Sequence, residues 1–125
     1  MVMQVDDAVG NITHALDHLE AADNTMVIFT SDHGDACGSH GMIDKHYVMY
    51  EEEVHVPLIV RWPSELAAGT QCDAFVNHLI DLPATILEVV GLPKPEAYDG
   101  RSILPLLRGQ VPVEWPDYVI STYNG

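Results

Sequence analysis

The chain has 125 residues, enough for one domain with a modest hydrophobic core, and its apolar fraction of 47% is ordinary for a globular protein. Five Lys and Arg against 19 Asp and Glu give a formal net charge of -14, which repels nucleic acid phosphates and anionic membranes, so we expect no nucleic acid partner. No apolar run approaches the roughly 20 residues of a membrane-spanning helix, so we expect no membrane span. The N-terminus lacks the basic and apolar regions of a signal peptide, and the compartment is left open.

The first predicted elements are an amphipathic helix and a strand. Apolar side chains recur at alternating spacings of three and four along the first part of the chain, at Val2, Val5, Val9, Ile12, Leu16 and Leu19. Turn-forming residues at 21–25 end this helix, and the apolar run at 26–30 predicts a buried strand. A helix that leads into a strand in this way is typical of a helix packed on a sheet.

A polar loop follows, and then the alternation of helix and strand resumes. A short helix is predicted before a second buried strand at 56–61, and residues 63–75 predict a surface loop. The next helix is predicted to have Asp81 as its N-cap and Gly91 at its C-terminal end, with Pro83 in its first turn. Its predicted core-facing residues are Ile86, Leu87 and Val90.

Two further segments complete the chain. Residues 99–110 predict a turn followed by a short apolar segment, and residues 118–125 predict the start of a strand. The overall order of helix, strand, loop, helix, strand and helix indicates an α/β layered sheet. Both core strands are apolar on both faces, which favours a parallel sheet with neighbours on each side. Two strands are too few for such a sheet, so we expect the chain to be part of a larger domain.

The polar residues after the first strand form the candidate functional site. Asp32 and His33 stand where ligands bind in open α/β sheets, just beyond the carboxyl end of a strand, and both are metal-ligand types. Gly34 and Gly38 allow the chain to turn tightly past them. Lys45 is the single lysine in the first 93 residues and could hold an anion that the metal also touches. The residues alone leave two interpretations open, a metal site or a simple Asx turn with a surface histidine.

The segment VIFTSDHGDACGSHGMIDK at residues 27–45 closely resembles the metal-binding segment of the sulfatase family, within the alkaline phosphatase-like superfamily. The resemblance continues through YEEEVHVPLIVRWP, LIDLPATILEVVGL and DGRSILPLL, in the family's order, and so extends to about Leu107. It implies that residues 1–125 are a partial sulfatase catalytic domain that ends near the start of the small C-terminal sheet. The implied fold is a fragment of a three-layer αβα structure with a mostly parallel central sheet.

The resemblance also implies roles for individual residues. Asp32 and His33 correspond to metal ligands, and Lys45 corresponds to the lysine that contacts the sulfate group. His40 belongs to the GSHG step of the same motif and is a further candidate catalytic residue. The implied divalent metal is Ca²⁺. Mn²⁺ is the alternative, because histidine is a softer ligand than Ca²⁺ prefers and related phosphonate and phosphodiester hydrolases use Mn²⁺ at similar sites.

The nucleophile that the family uses is not found in this sequence. The resemblance to sulfatases implies that the nucleophile attacking sulfur is a formylglycine hydrate, made from Cys or Ser within C/S-x-P-S-R. This chain contains no such pentapeptide. We expect the formylglycine, and the aspartate pair that completes the metal site, to lie upstream. Cys37 is interpreted as a loop residue, since nothing obvious near it would lower its thiol pKa. On its own the chain is therefore expected to be inactive and to bind metal weakly.

The function that the resemblance implies is metal-dependent hydrolysis of sulfate esters of small molecules or carbohydrates, with this chain supplying part of the metal and sulfate site. Two alternatives stay open: a phosphonate monoester or phosphodiester hydrolase of the same superfamily, or a catalytically inactive truncated remnant.

Other polar and aromatic residues receive structural interpretations. The glutamates at 51–53 predict a solvated helix face with at least one member pairing near the site, while His78 is given no role and structural roles go to His55, Trp62 and Trp115.

Overall fold

The computed structural model describes residues 1–45 and 48–121 and contains within them four α-helices, two strands and two short 3-10 helices, Ala22–Asn24 and Ser39–Gly41. The α-helices and strands follow the order α1 (Val2–His18), β1 (Val27–Thr30), α2 (Glu51–Val54), β2 (Leu58–Arg61), α3 (His78–Val89) and α4 (Leu104–Leu107). This order confirms the predicted alternation of helix and strand. Residues 118–121 are not in a strand, and the rest of the predicted last strand lies outside the described residues. In the described ranges, every helix is too short or too polar to cross a membrane.

The two strands pair with each other in antiparallel orientation, with Val27 opposite Arg61 and Thr30 opposite Leu58. The parallel arrangement predicted from their apolar faces is therefore wrong for this pair, although mostly parallel sheets commonly contain an antiparallel strand. The side chains of both strands are only partly buried, because the described part of the chain gives each strand a single neighbour. The antiparallel register places the end of β1 beside the start of β2, and so brings α2 next to the residues that follow β1.

The helix α3 begins one turn earlier than predicted, and its N-cap is Asn77 rather than Asp81. The Asp81 carboxylate lies inside the helix and accepts hydrogen bonds from the backbone N–H groups of Asn77, at 2.8 Å, and Arg101, at 2.9 Å. Pro83 consequently lies in the second turn rather than the first. The prediction failed because Asp81 lies one turn inside the helix, where its carboxylate reaches back to the N-cap residue Asn77 and across to a turn twenty residues further along the chain.

A second polar contact joins α3 to the segment before α4. The Thr85 hydroxyl donates to the carbonyl of Asp81, at 2.6 Å, and accepts the backbone N–H of Ile103, at 2.9 Å. At Gly100 a Cβ atom would lie 2.0 Å from the carbonyl oxygen of Ile80, so only glycine lets this turn pack on the helix. These contacts tie the segments LIDLPATIL and DGRSILPLL into one unit.

The core lies between this unit and the sheet. Its buried apolar residues are Leu82, Ile103 and Leu106, against which pack partly buried residues that include Ile28 from β1 and Leu58 from β2. The buried face of α3 consists of Asp81, Leu82, Ala84 and Thr85. Of the three residues predicted to face the core, Leu87 is half-buried, whereas Ile86 is 45% exposed and Val90 is 58% exposed, so the prediction is wrong for these two.

The end of α3 follows the predicted pattern. Gly91 has φ 71°, and the backbone N–H of Leu92 donates to the carbonyl of Leu87 at 2.8 Å, which closes the helix in the manner of a Schellman turn. Both tryptophans are half-buried and donate their indole N–H to a backbone carbonyl, Trp62 to Asp23 and Trp115 to Phe75. The structural interpretation of the tryptophans is consistent with these contacts.

Candidate functional site

Asp32 and His33 form a hydrogen-bonded turn directly after β1. One carboxylate oxygen of Asp32, Oδ1, accepts the backbone N–H of His33 at 3.0 Å, and the Ser31 hydroxyl donates to the carbonyl of His33 at 2.8 Å. The other carboxylate oxygen, Oδ2, lies 3.5 Å from Nε2 of the His33 ring. A local turn and a metal site are therefore compatible, because the turn uses one oxygen of Asp32 and leaves the second beside the imidazole.

The contacts of His33 determine which ring nitrogen carries the proton in the neutral form. Nδ1 lies 2.7 Å from the carbonyl oxygen of Gly34, and a carbonyl can only accept, so Nδ1 is the protonated nitrogen. Nε2 then keeps its lone pair and faces the Lys45 ammonium, whose Nζ is 2.9 Å away and can only donate. The lone pair needed for a metal bond is thus on the nitrogen nearest Asp32 Oδ2.

The Asp32 carboxylate is held in its ionised form. The hydrogen bond from the His33 backbone lowers the pKa of Asp32 below its ordinary value of 3.8. The His33 ring, when it is protonated, and the Lys45 ammonium lower this pKa further. Asp32 is therefore a carboxylate at neutral pH and is available as an anionic ligand.

The separation of the two donor atoms fits one shared ion. Ligands at neighbouring positions around an ion with bonds of 2.3–2.6 Å are about 3.3–3.7 Å apart, and Oδ2 of Asp32 and Nε2 of His33 are 3.5 Å apart. Among residues 1–45 and 48–121 no group of three or more His, Cys, Asp or Glu side chains could hold a metal ion. The described residues therefore bring together two candidate donor atoms, fewer than a complete metal site requires.

The helix α2 packs closely against this turn. The backbone N–H of Gly34 donates to the carbonyl of Glu53 at 2.9 Å, and a Cβ atom at position 34 would lie 1.8 Å from the carbonyl oxygen of Glu52. Any side chain there would push α2 away from the turn. Gly34 is therefore required by close backbone approach rather than by an unusual backbone angle.

Cys37 lies in the loop that follows, with φ 48°, and its backbone N–H donates to the Asp35 carboxylate at 2.7 Å. A side-chain hydrogen bond to Asp35, together with the charge of that carboxylate, raises the pKa of the Cys37 thiol above its ordinary value. A raised pKa keeps the thiol protonated, which supports the interpretation of Cys37 as a loop residue rather than a nucleophile.

His40 directs its ring to α2. It stacks on Tyr50 with ring centroids 3.9 Å apart and planes 14° from parallel, and its Nε2 lies 3.4 Å from the Glu52 carboxylate. This pair confirms that one glutamate of the 51–53 run pairs near the site. The solvated-face prediction holds for Glu51, which is exposed and lies 2.5 Å from His55, but is wrong for Glu53, which is 8% exposed.

His78, which the sequence analysis gave no role, contacts the site. Its Nε2 lies 3.2 Å from the carbonyl oxygen of Asp32 and so joins the first residue of α3 to the end of β1. The two residues are 46 positions apart. No local pattern around His78 signals the contact, because it depends on how α3 packs against the sheet.

Comparison with known proteins gives a consistent result. The sequence model of the family described as sulfatase matches residues 1–92. An N-acetylglucosamine-6-O-sulfatase of Bacteroides thetaiotaomicron is 35% identical over 116 residues, which cover 91% of this chain and 20% of that protein. The chain thus spans about a fifth of the length of this curated relative.

Solved structures show the same likeness. A structure described as a complex with its substrate D-glucosamine-2-N,6-O-disulfate has a TM-score of 0.84 and 34% identity, covering 92% of this chain and 23% of that chain. The phosphonate monoester hydrolase of Agrobacterium radiobacter has a TM-score of 0.85 and 36% identity, covering 94% of this chain and 23% of that chain. These likenesses confirm the expected alkaline phosphatase-like fold, of which the described residues form an α/β part with a two-stranded sheet.

Proposed function

The chain belongs to the sulfatase family, and we propose that it supplies part of the metal and sulfate site of a sulfuric ester hydrolase. The observation that carries the proposal is the meeting of Asp32 Oδ2, His33 Nε2 and Lys45 Nζ just beyond β1, with separations of 3.5 Å and 2.9 Å. An anionic oxygen and an imidazole lone pair suit a divalent ion, and an ammonium beside them suits a sulfate oxygen.

The three side chains have distinct tasks in this proposal. Asp32 and His33 hold the ion, which when bound polarises the ester and neutralises developing negative charge. The hydrogen bond from His33 Nδ1 to Gly34 orients the ring and keeps the lone pair on Nε2. The Lys45 ammonium contacts that lone pair in this structure. An ion held at Nε2 would take the lone pair, which would leave the ammonium to donate to a sulfate oxygen.

We propose Ca²⁺ as the ion, with Mn²⁺ as the alternative that the imidazole ligand favours. The proposed nucleophile is a formylglycine carried by a part of the protein other than these 125 residues, since the C/S-x-P-S-R pentapeptide is absent from them. The proposed substrate is a sulfated carbohydrate. This is supported by the N-acetylglucosamine-6-O-sulfatase relative and by the solved complex with D-glucosamine-2-N,6-O-disulfate.

A phosphonate monoester hydrolase is the second candidate, favoured by the likeness to the enzyme of Agrobacterium radiobacter and by the imidazole ligand. The two functions are separated by the kcat/KM of the full-length protein for 4-nitrophenyl sulfate and for the 4-nitrophenyl ester of phenylphosphonate, each with Ca²⁺ and with Mn²⁺. We expect the sulfate ester to be the better substrate. A higher kcat/KM for the phosphonate ester with both ions would contradict the sulfatase assignment.

A further inference from the structure

The loop that joins the candidate metal ligands to Lys45, residues 35–44, is called the site loop here. Three residues of this loop other than glycine have backbone angles in the left-handed region, with φ values of 48° at Cys37, 55° at His40 and 77° at Asp44. Side chains disfavour this region, and such angles persist only where the surrounding structure holds them. The site loop therefore needs anchors.

The helix α2 provides these anchors. At the start of the site loop, the backbone N–H of Gly34 donates to the carbonyl of Glu53 at 2.9 Å. In the middle of the loop, His40 stacks on Tyr50, with 3.9 Å between ring centroids, and pairs with Glu52 at 3.4 Å. The ring of His40 is thus fixed by a face contact and an edge contact, both of them from residues at the N-terminal end of α2.

The far end of the site loop leads to the ammonium that the proposed function requires. The Lys45 backbone N–H donates to the Asp44 carboxylate at 2.8 Å, and its Nζ lies 2.9 Å from His33 Nε2. Lys45 has a long flexible side chain, so its position depends on where the loop delivers its backbone. A displacement of the loop at His40 would move the ammonium relative to the metal ligands.

We infer that His40 is a positioning residue, which holds the site loop against Tyr50 and Glu52 so that the loop delivers the Lys45 ammonium beside the Asp32 and His33 site, in contact with His33 Nε2 while no ion is bound there. This inference rests on the proposed function and adds to it a residue that acts through Lys45. Tyr50 and Glu52, which contact His40, then help to position the site loop in the same way. The neighbouring pair of His55 and Glu51 joins another glutamate of α2 to a histidine outside the site loop, so it is a matched control.

The first test is a double-mutant cycle on the full-length protein, with the kcat/KM for 4-nitrophenyl sulfate as the readout. His40→Gln is expected to lower kcat/KM on the order of 10–100-fold, the effect that outer partners have at metal sites. In a Lys45→Ala background the same change is expected to cost less than about twofold, because its route of action is already removed. His55→Gln is expected to leave kcat/KM unchanged both in wild type and in the Lys45→Ala background. An equal loss from His40→Gln in both backgrounds would overturn the inference.

Conservative variants separate the positioning role from general structural damage. Tyr50→Phe keeps an aromatic face for His40 and is expected to retain kcat/KM within about twofold, whereas Tyr50→Ala is expected to reproduce the loss seen with His40→Gln. The inference is wrong if Tyr50→Ala behaves like wild type, or if Tyr50→Phe loses as much activity as Tyr50→Ala.

A second readout does not depend on turnover. In metal-free full-length protein with ¹⁵N-labelled histidine, His40→Gln is expected to move the nitrogen resonance of His33 Nε2, because Lys45 no longer donates to it. His55→Gln is expected to leave this resonance in place. If wild type hydrolyses no sulfate ester and this shift is seen, the proposed function fails and the positioning role stands. If the resonance does not move, the positioning role fails whatever the turnover.

Discussion

Asp32 divides its two carboxylate oxygens between local structure and the candidate ion. Oδ1 accepts the backbone N–H of His33, while Oδ2 lies 3.5 Å from the ring nitrogen that carries a lone pair. His33 makes the same division, with Nδ1 on the Gly34 carbonyl and Nε2 towards Asp32 and Lys45. The hydrogen bonds of the turn thus orient both side chains before any ion binds, and such preorganisation strengthens metal binding.

This arrangement predicts a selective effect of removing the imidazole. In the full-length protein, His33→Ala is expected to weaken Mn²⁺ binding by at least about tenfold, because it removes a direct ligand. The matched control is His55→Ala, since His55 is exposed and contacts Glu51 instead of the site. Calorimetric titration with Mn²⁺ measures both affinities. Equal affinities for wild type and His33→Ala would show that the imidazole is not a ligand.

Lys45 is the residue for which sequence and geometry agree most directly. Its isolation from other lysines singled it out, and the structure places its Nζ 2.9 Å from His33 although the two residues are twelve positions apart. His78 shows the opposite case. It reaches the carbonyl of Asp32 through the packing of α3, which no local pattern encodes.

The helix α2 is short but determines the shape of the site. It contacts the turn at Gly34, the site loop at His40 and the start of β2 through its chain connection. A hydrogen bond to its own backbone N–H, and after it the charge of His40, lowers the pKa of Glu52 below its ordinary value of 4.5. Acid that protonates Glu52 therefore removes the carboxylate that its own backbone N–H and the His40 ring contact.

The sign of this pH dependence follows from the lowered pKa. The stabilisation from ionised Glu52 is fully present above its unfolded pKa and is lost as the pH falls through the lower folded pKa. Glu52→Gln is therefore expected to reduce the Tm of the full-length protein at about pH 6, and the difference from wild type should narrow as the pH falls towards about pH 4. Thermal unfolding at both pH values measures this. A difference that is independent of pH, or one also shown by Glu51→Gln, would contradict the lowered pKa of Glu52.

The contact between α3 and the turn before α4 gives a prediction about stability. Asp81→Ala leaves the backbone N–H groups of Asn77 and Arg101 without their acceptor, so it is expected to lower the free energy of unfolding by about 1–3 kcal/mol. Glu88→Ala removes an exposed carboxylate from the same helix and is expected to change it by less than about 0.5 kcal/mol. Urea unfolding of the full-length protein measures the free energy of unfolding of both variants. Equal losses for Asp81→Ala and Glu88→Ala would contradict the role of Asp81.

Local sequence patterns were enough to predict the helices and strands but not the contacts between them. The periodicity of α1 and the apolar run of β1 are properties of consecutive residues, and both elements form close to where they were predicted. The pairing of the strands and the partners of Asp81 are contacts between distant residues. They were predicted wrongly because a period in the sequence fixes which face is apolar but not what packs against it.

At the level of the whole chain, the site is a partial one. The described residues bring two proposed metal ligands and one ammonium together, whereas Ca²⁺ takes six to eight oxygen ligands. The motif DHG could be assigned to a metal site from its place after a strand and from family resemblance. The missing ligands and the nucleophile could not be located, because no residue pattern for them occurs in these 125 residues.

Because the site is partial, we expect different behaviour for the chain alone and for the full-length protein. The 125-residue chain is expected to show no measurable hydrolysis of 4-nitrophenyl sulfate and only weak Ca²⁺ binding, because two ligands cannot replace the water around the ion. The full-length protein, assayed in parallel, is the positive control. Turnover by the chain alone would mean that a nucleophile other than formylglycine acts within it.

The central claim is that the Lys45 ammonium donates a hydrogen bond to a sulfate group held beside the proposed metal site of Asp32 and His33. The most direct measurement is the kcat/KM of the full-length protein for glucosamine 6-sulfate, compared between wild type and Lys45→Ala, with both proteins saturated with the activating ion. We predict a loss of about 10²–10³-fold, the effect of removing one preorganised donor from a developing negative charge. A Lys45→Ala variant that hydrolyses the sulfate ester within a few-fold of wild type would contradict the account.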